Sequence, residues 1–364
     1  MSYEQTNPRS SRLRWILLGC GCTLLTVLLL AAASLWTLGN WIFNGPSESA
    51  RDALALSMLD SGSTAWIPGL FLDDEQLSQL KAEAPTLKPE DPTKDPSITV
   101  LPAPEAEDIW ADHPDGIRIE TLTRRTFTAH VMLVRDPSAV YLATSTDSFS
   151  LDIPGTRLLN QMKTEGAIAA INAGAFNDDG TAGVHVGSLP IGLVVSEGRI
   201  LWDDGRSYFG FMGMTEDDRL YVADTITAAT AKQMKIRDGC CFGPILVKDG
   251  QINERVFSMV DNINSRSAIG QRADGTMIFV CIDGRQAGSI GAEYDDLPQL
   301  MLDLGAVNAC ALDGGASTVM GYKDTYGLYG TPGEIVMCNS YSLLQAMPRR
   351  MPTFFMVRPA EQED

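Results

Sequence analysis

The chain has 364 residues, 45% hydrophobic and 20% charged, enough for one large domain with its own core, which excludes globally disordered, collagen-like and disulfide-stapled classes. Its formal net charge is −18, from 28 Lys and Arg against 46 Asp and Glu, a field that repels phosphate backbones, so nucleic acid is not an expected partner. Only three histidines occur (His113, His130 and His185), too few for several His ligands or a His-centred triad, which turns attention to carboxylates, arginines and backbone amides.

Charge is unevenly spread. Residues 1–14 carry Arg9, Arg12 and Arg14 against Glu4, a local +2 that leaves −20 for everything after them. From Trp15 to Phe43 no charged residue occurs and Leu, Val, Ala and Ile dominate. About 20 residues at about 1.5 Å each cross a hydrocarbon core of roughly 30 Å, so 15–43 predicts a single transmembrane helix. A cleaved signal peptide has a shorter apolar core, of about 7 to 15 residues. Leu17-Leu18-Gly19-Cys20 has the form of a lipoprotein cleavage box, but the strongest hydrophobicity follows it, so Cys20 and Cys22 read as anchor residues. Arginines before the helix and an acidic region after it predict a cytoplasmic tip at 1–14 and an extracellular C-terminal domain at the cell membrane.

Residues 47–84 read as a juxtamembrane helical stalk. Ala53, Leu54, Leu56 and Leu59 recur at helical spacing, and Asp73-Asp74-Glu75 forms an acidic first turn before Leu77 and Leu80. From Pro85 to Pro114 seven prolines sit among acidic residues, the composition of an extended linker over 85–116. The globular domain is expected at 117–358, with a tail at 359–364.

Strand and turn signals dominate that domain. Ala129–Val134 and Val140–Thr144 read as neighbouring strands around Arg135-Asp136-Pro137-Ser138. The apolar run Ala167–Ile171 stops at Asn172. Leu193–Val195 and Arg199–Trp202 flank Ser196-Glu197-Gly198 as a hairpin, and Pro244–Val247 and Gln251-Ile252 flank Lys248-Asp249-Gly250 as another. The fold class is α+β, a mixed β-sheet domain after an N-terminal transmembrane helix and helical stalk.

The most informative stretch runs from Thr276 to Gly321. An apolar strand, Thr276–Ile282, ends in Asp283-Gly284-Arg285. Leu297, Leu300, Met301 and Leu304 then mark an amphipathic helix between Asp295-Asp296 and Gly305, and a second apolar run, Val307–Leu312, ends in Asp313-Gly314-Gly315-Ala316-Ser317. Strand, helix, strand predicts a βαβ unit with parallel strands, whose ends share the edge where open α/β sheets bind ligands. Asp283, Arg285 and Asp313 would meet there. Gly314 and Gly315 permit an anion-binding row of N–H groups, and Ser317 adds a hydroxyl. This set suits a sugar bearing phosphate.

Five motifs, Asn172-Ala173-Gly174-Ala175-Phe176, Gly243–Gly250, Arg266-Ser267-Ala268-Ile269-Gly270, Asp283-Gly284-Arg285-Gln286 and Leu312–Ser317, occur in the order of the phosphodiester glycosidase domain family, which this chain resembles over about residues 120 to 358. Departures are Ala173 and Ala175 where the family's Asn-Gly-Gly-Phe-Phe-like motif has other residues, Ala316 in place of a third glycine, and only a loose likeness at Arg350-Met351-Pro352-Thr353.

The resemblance implies hydrolysis of a sugar-1-phosphodiester, GlcNAc-α-1-phosphoryl-like, at its anomeric centre, in envelope or exopolysaccharide glycans, with no cofactor and no metal. A phosphate monoester leaves easily, so little general-acid help is required, while a carboxylate must serve an oxocarbenium-like transition state and cations and amides must hold phosphate. The expected roles are Asp313 as main carboxylate, Asp283 as its partner, Arg285 and Arg266 on phosphate with Gly284, Gly314, Gly315 and Ser317, and Asn172 on a sugar hydroxyl or acetamido group. A non-catalytic glycan-binding or envelope-assembly protein on the same fold is the second reading. A metal-dependent phosphodiesterase is disfavoured by the few histidines.

Other features read as structural. Asn177-Asp178-Asp179-Gly180 opens like a calcium loop but lacks the later Glu. His185 reads as a surface or hydrogen-bonded residue. Cys281 and Cys310 read as small core residues, and one disulfide from Cys240 or Cys241 stays open.

Overall fold

The computed structural model describes residues 8–45, 51, 55, 59, 66–82 and 109–359, apart from 178–185, 207–209, 259–261, 287 and 342–347. His185 and Asp178-Asp179-Gly180 therefore lie outside the described residues, as does most of the predicted linker.

Helix α1 (Pro8–Phe43) contains one stretch, Cys20–Phe43, long and apolar enough to cross a membrane, and Leu24, Leu30 and Leu35 on it are exposed. Helix α2 (Asp74–Ala82) follows the predicted acidic first turn. It starts at a reciprocal cap: the Gln76 N–H donates to Asp73 Oδ1 at 2.8 Å and the Asp73 N–H to Gln76 Oε1 at 3.0 Å.

In chain order the domain contains β1 (Ile117–Thr123), β2 (Thr128–Val134), β3 (Val140–Thr144), α3 (Leu158–Glu165), β4 (Ala169–Asn172), β5 (Phe176–Asn177) and β6 (Leu189–Pro190). Then come β7 (Leu193–Ser196), β8 (Arg199–Asp203), β9 (Phe211–Thr215), β10 (Leu220–Ala223), α4 (Ala228–Gln233), β11 (Ile236–Cys241), β12 (Ile245–Lys248) and β13 (Gln251–Ile252). The last part holds β14 (Arg266–Arg272), β15 (Met277–Ile282), α5 (Asp296–Asp303), β16 (Ala306–Leu312), β17 (Met320–Lys323), β18 (Ile335–Met337) and β19 (Thr353–Val357).

Three larger sheets result, ordered β1-β2-β15-β14-β16-β12-β13, β10-β9-β11-β7-β8 and β18-β17-β4-β19-β3, beside the pair β5-β6. One cluster of buried side chains, among them Met132, Ile171, Met212, Phe279 and Phe355, draws on all three. Every residue of β15 is buried, as its unbroken apolar run requires of a strand covered on both faces. Both predicted hairpins form, and their turns put two successive residues at left-handed φ: Glu197 (51°) with Gly198 (71°), and Asp249 (53°) with Gly250 (74°).

Two expectations are corrected. β2 and β3 do not pair, because a 3-10 turn, Pro137–Ala139, passes the chain into another sheet; Asp136 caps that turn, its Oδ1 accepting the Ser138 N–H at 2.9 Å. The β15–α5–β16 unit has parallel strands, but they are not neighbours: β14 lies between them, antiparallel to both. The short turn Asp274-Gly275 pairs β14 with β15, and β2 takes the other edge of β15, so β16 pairs with the free edge of β14.

Ahead of β1, Ile109 and Trp110 pack on the core, the Asp115 carboxylate accepts from Tyr322 O–H, and Asp115 Oδ1 accepts the Ile117 N–H at 3.1 Å. All seven cysteines are free thiols, so neither Cys240 nor Cys241 is in a disulfide.

Candidate functional site

The strand ends still meet at one edge. Arg266 pairs with Ile282 and Ser267 with Leu312, so β15 and β16 both finish beside the start of β14. Two strand spacings of about 4.8 Å put the Asp283 and Asp313 backbones about 10 Å apart. Ser265 is wedged between the two turns. A Cβ on Gly284 would lie 2.4 Å from Ser265 N and one on Gly314 2.9 Å from Ser265 O, so both glycines permit backbone contact that no other residue allows. Gly315 has φ +58°, and its N–H donates to Ser265 O at 2.8 Å.

Asp283 is 5% exposed and fully engaged. Its Oδ1 accepts the Ser340 N–H at 2.9 Å, and its Oδ2 lies 3.0 Å from His130 Nε2. Its backbone carbonyl accepts from Ser289 O–H at 2.6 Å, and Ser289 Oγ in turn accepts the Thr128 N–H at 2.9 Å. His130, on β2, stands in none of the five motifs. The available signal was its position as the lone polar residue in the apolar run Ala129–Val134, where a buried ring requires a partner.

Asn172, expected on a sugar hydroxyl, is fully buried. Its Oδ1 accepts from Ser267 O–H at 2.8 Å and the Val319 N–H at 3.0 Å, while its Nδ2 donates to the Asp313 carbonyl at 2.6 Å. It ties β4, β14 and the Asp313 turn together, and so braces the site. Arg266, expected on phosphate, is likewise buried: Nη2 donates to Asn262 O at 2.5 Å and Asn262 Oδ1 at 3.0 Å, Nε donates to Ala292 O at 3.2 Å, and the guanidinium lies 3.8 Å over the Tyr294 ring. It acts as a second brace. Arg285 differs. It holds a left-handed φ of 58°, is half-buried, and lines a small cleft with Ser265, Gly284, Gly315, Thr318 and Tyr341.

Asp313 is half-buried at the head of the second turn, where its N–H leaves the ladder for the Ala173 carbonyl at 3.0 Å. Ala316 lies within the 3-10 turn Gly315–Ser317 and is not among the described residues with left-handed φ, so alanine meets no strain where the family has glycine. Ser317 and Thr318 are buried, yet neither hydroxyl has a hydrogen-bond partner among the described residues, a state that normally marks a place for a ligand or water. Tyr341 O–H donates to the Thr318 carbonyl at 2.6 Å, and burial pushes its phenol well above the ordinary value, helped by nearby Cys281 and Asp283. Among the described residues no three His, Cys, Asp or Glu side chains gather as a metal site would require.

Residues 165–358, more than half the chain, match the phosphodiester glycosidase family. A SPbeta prophage-derived protein of Bacillus subtilis, YomE, is 27% identical over 215 residues, 57% of this chain. The match covers 31% of YomE, so this chain spans about a third of the length of that curated relative. The catalytic domain of zebrafish N-acetylglucosamine-1-phosphodiester alpha-N-acetylglucosaminidase, auto-inhibited by its pro-peptide, superposes with a TM-score of 0.52 at 19% identity, over 68% of this chain and 85% of that one. That likeness is one of fold.

Proposed function

This chain belongs to the phosphodiester glycosidase family, and we propose that its domain hydrolyses a sugar-1-phosphodiester, GlcNAc-α-1-phosphoryl-like, at the anomeric carbon. Water adds to that carbon as the bond to the phosphate oxygen breaks, giving a free sugar and a phosphate monoester. The observation that carries the reading is the meeting of the Asp283–His130 pair, Arg285 and the Asp313 turn at one sheet edge.

In this reading Asp313 serves the oxocarbenium-like transition state and the Asp283–His130 pair moves the proton. Arg285 and the Gly314 N–H hold phosphate, Ser317 donates a hydroxyl, Gly284 gives the backbone its close approach, and Gly315, whose N–H is taken by the Ser265 carbonyl rather than left for phosphate, shapes the turn. The same reading places α1 in the cell membrane with its arginine-rich start in the cytoplasm, the domain outside, and envelope or exopolysaccharide glycans as substrate.

The test is to incubate the detergent-solubilised full chain with GlcNAc-α-1-phosphoryl esters in heavy-oxygen water. Label in the sugar supports the proposal. Label in the phosphate means phosphorus–oxygen cleavage and rejects it, and saturable binding without turnover favours a non-catalytic glycan-binding role. Turnover unchanged in Asp313→Asn removes that residue from the mechanism.

A further inference from the structure

Residues 66–72 fold back along the last two turns of α1. Phe71 is the wedge. Its ring centroid lies 5.1 Å from those of both Trp36 and Phe43, stacked on the latter with 7° between the planes. Gly39 supplies the seat, since a Cβ there would lie 2.3 Å from Phe71 Cζ. Phe43, Leu72 and Leu80 are buried by this packing, with Ile42, Ile67 and Leu77 against them.

The outward side is apolar as well. Trp41 is 70% exposed, Trp66 64% and Leu70 49%, and Leu35 and Leu38 on α1 are exposed as well. Trp66-Ile67-Pro68-Gly69-Leu70-Phe71-Leu72 contains no polar side chain, and Asp73-Asp74-Glu75 follows at once. A segment in water would not present such a surface in one piece.

We propose that Trp66–Leu72 lies in the membrane interface as a collar on the outer end of α1, its partner the boundary between lipid headgroups and hydrocarbon. This rests on the reading of α1 as an anchor. The heights agree. Residues 20–39 extend about 30 Å, the thickness of a hydrocarbon core, which brings Gly39 and its Phe71 to the core's edge. The helix then continues about 6 Å to Phe43, the depth of a headgroup layer, where Trp41 and Trp66 fall and where tryptophan is enriched. The acidic turn after Leu72 reaches water. A collar seated at two places holds the helix at one depth and tilt.

The experiment uses the full chain in phosphatidylcholine vesicles. A variant with Trp66 as sole tryptophan (Trp15, Trp36, Trp41, Trp110 and Trp202 all to Phe) is quenched by lipids brominated at shallow or deep acyl positions. The expected result is at least twofold stronger quenching by the shallow bromines, with little quenching by acrylamide. Strong acrylamide quenching with no effect of bromine overturns the collar. The matching Trp41-only variant separates the failures: if it is quenched by bromine while Trp66 is not, the collar falls alone, and if neither is quenched the anchor falls with it. In the otherwise native chain, Leu70→Cys is expected to react with a water-soluble maleimide at least tenfold more slowly than Glu75→Cys, and equal rates count against the collar.

Discussion

His130 Nε2 stands 3.0 Å from Asp283 Oδ2, while the other carboxylate oxygen takes the Ser340 N–H. The pair joins β2 to the end of β15 and fixes the carboxylate from two sides. An imidazole oriented by a buried carboxylate is a proton carrier held ready in one tautomer.

Replacing His130 by Ala is therefore expected to lower kcat on a sugar-1-phosphodiester by about 10²–10⁴-fold, and His130→Gln, which keeps a donor but cannot shuttle a proton, to keep the fold without restoring the rate. A purely structural histidine would be rescued by glutamine. Steady-state kinetics and melting temperatures of the two variants decide between them.

Gly284 and Gly315 separate two kinds of glycine requirement. At Gly284 the added Cβ meets backbone at 2.4 Å, whereas at Gly315 the nearest atoms are 3.7 Å away and only the left-handed φ objects. Gly284→Ala should cost about 1–3 kcal/mol or more through displaced backbone, and Gly315→Ala about 1–2 kcal/mol. Urea midpoints test the order, and a milder Gly284→Ala would contradict the wedge at Ser265.

The hydroxyls of Ser317 and Thr318 make no hydrogen bond among the described residues. Their removal should leave the melting temperature unchanged or raise it, because no buried donor loses a partner. If substrate supplies that partner, Thr318→Ala raises KM by about tenfold, near 1.4 kcal/mol. A variant with lower stability and unchanged KM would assign the hydroxyls to the scaffold.

Asn172→Ala does the reverse. It strands the Val319 N–H and the Asp313 carbonyl and leaves the Ser267 hydroxyl only the Cys281 thiol. About 1–3 kcal/mol for each buried group left unpaired makes this among the most damaging single changes near the site. Chemical denaturation of the variant gives the number directly.

Burial pushes the Cys240, Cys281 and Cys310 thiols well above their ordinary value and Cys338 up to about 12. The unfolded chain loses these protons near pH 8.5 to 9, the folded one much later, so over that interval the folded state holds more protons. Stability contributed by the neutral thiols is complete below about pH 8.5 and falls as pH rises toward 12. Melting temperature should drop from pH 9 to pH 11, and iodoacetamide at pH 8 should leave the buried Cys240, Cys281 and Cys310 unmodified until urea unfolds the domain. Rapid alkylation of Cys310 in the native state would refute the burial.

Much of this was readable in the chain. Asp-Gly and Glu-Gly after apolar runs announce two-residue turns, because left-handed φ at both positions closes a hairpin with the twist of its strands. The run Met277–Ile282 marks an inner strand, and Asp283 and Asp313 stand where the runs end. Local patterns could not show that β14 separates the two strands, since pairing depends on which edge is free once the hairpin has closed. In the ladder Asp283 is level with Ser265 and Asp313 with Arg266, one residue out of step, so alternation alone would aim them to opposite faces. After Leu312 the chain leaves that ladder, the Asp313 N–H donating to the Ala173 carbonyl, so the alternation of the ladder does not carry on to Asp313.

The sequence by itself determined the apolar helix, the acidic domain, the strand-end carboxylates and the family motifs, because each depends on residues near one another in the chain. Only the tertiary structure decided which polar groups are spent on the protein itself. Asn172 and Arg266 stand in motifs yet their donors and acceptors are turned inward, while His130 stands in none and reaches Asp283 from 153 residues away. A hydrogen bond depends on distance in space, and that distance exists only after the sheets have packed.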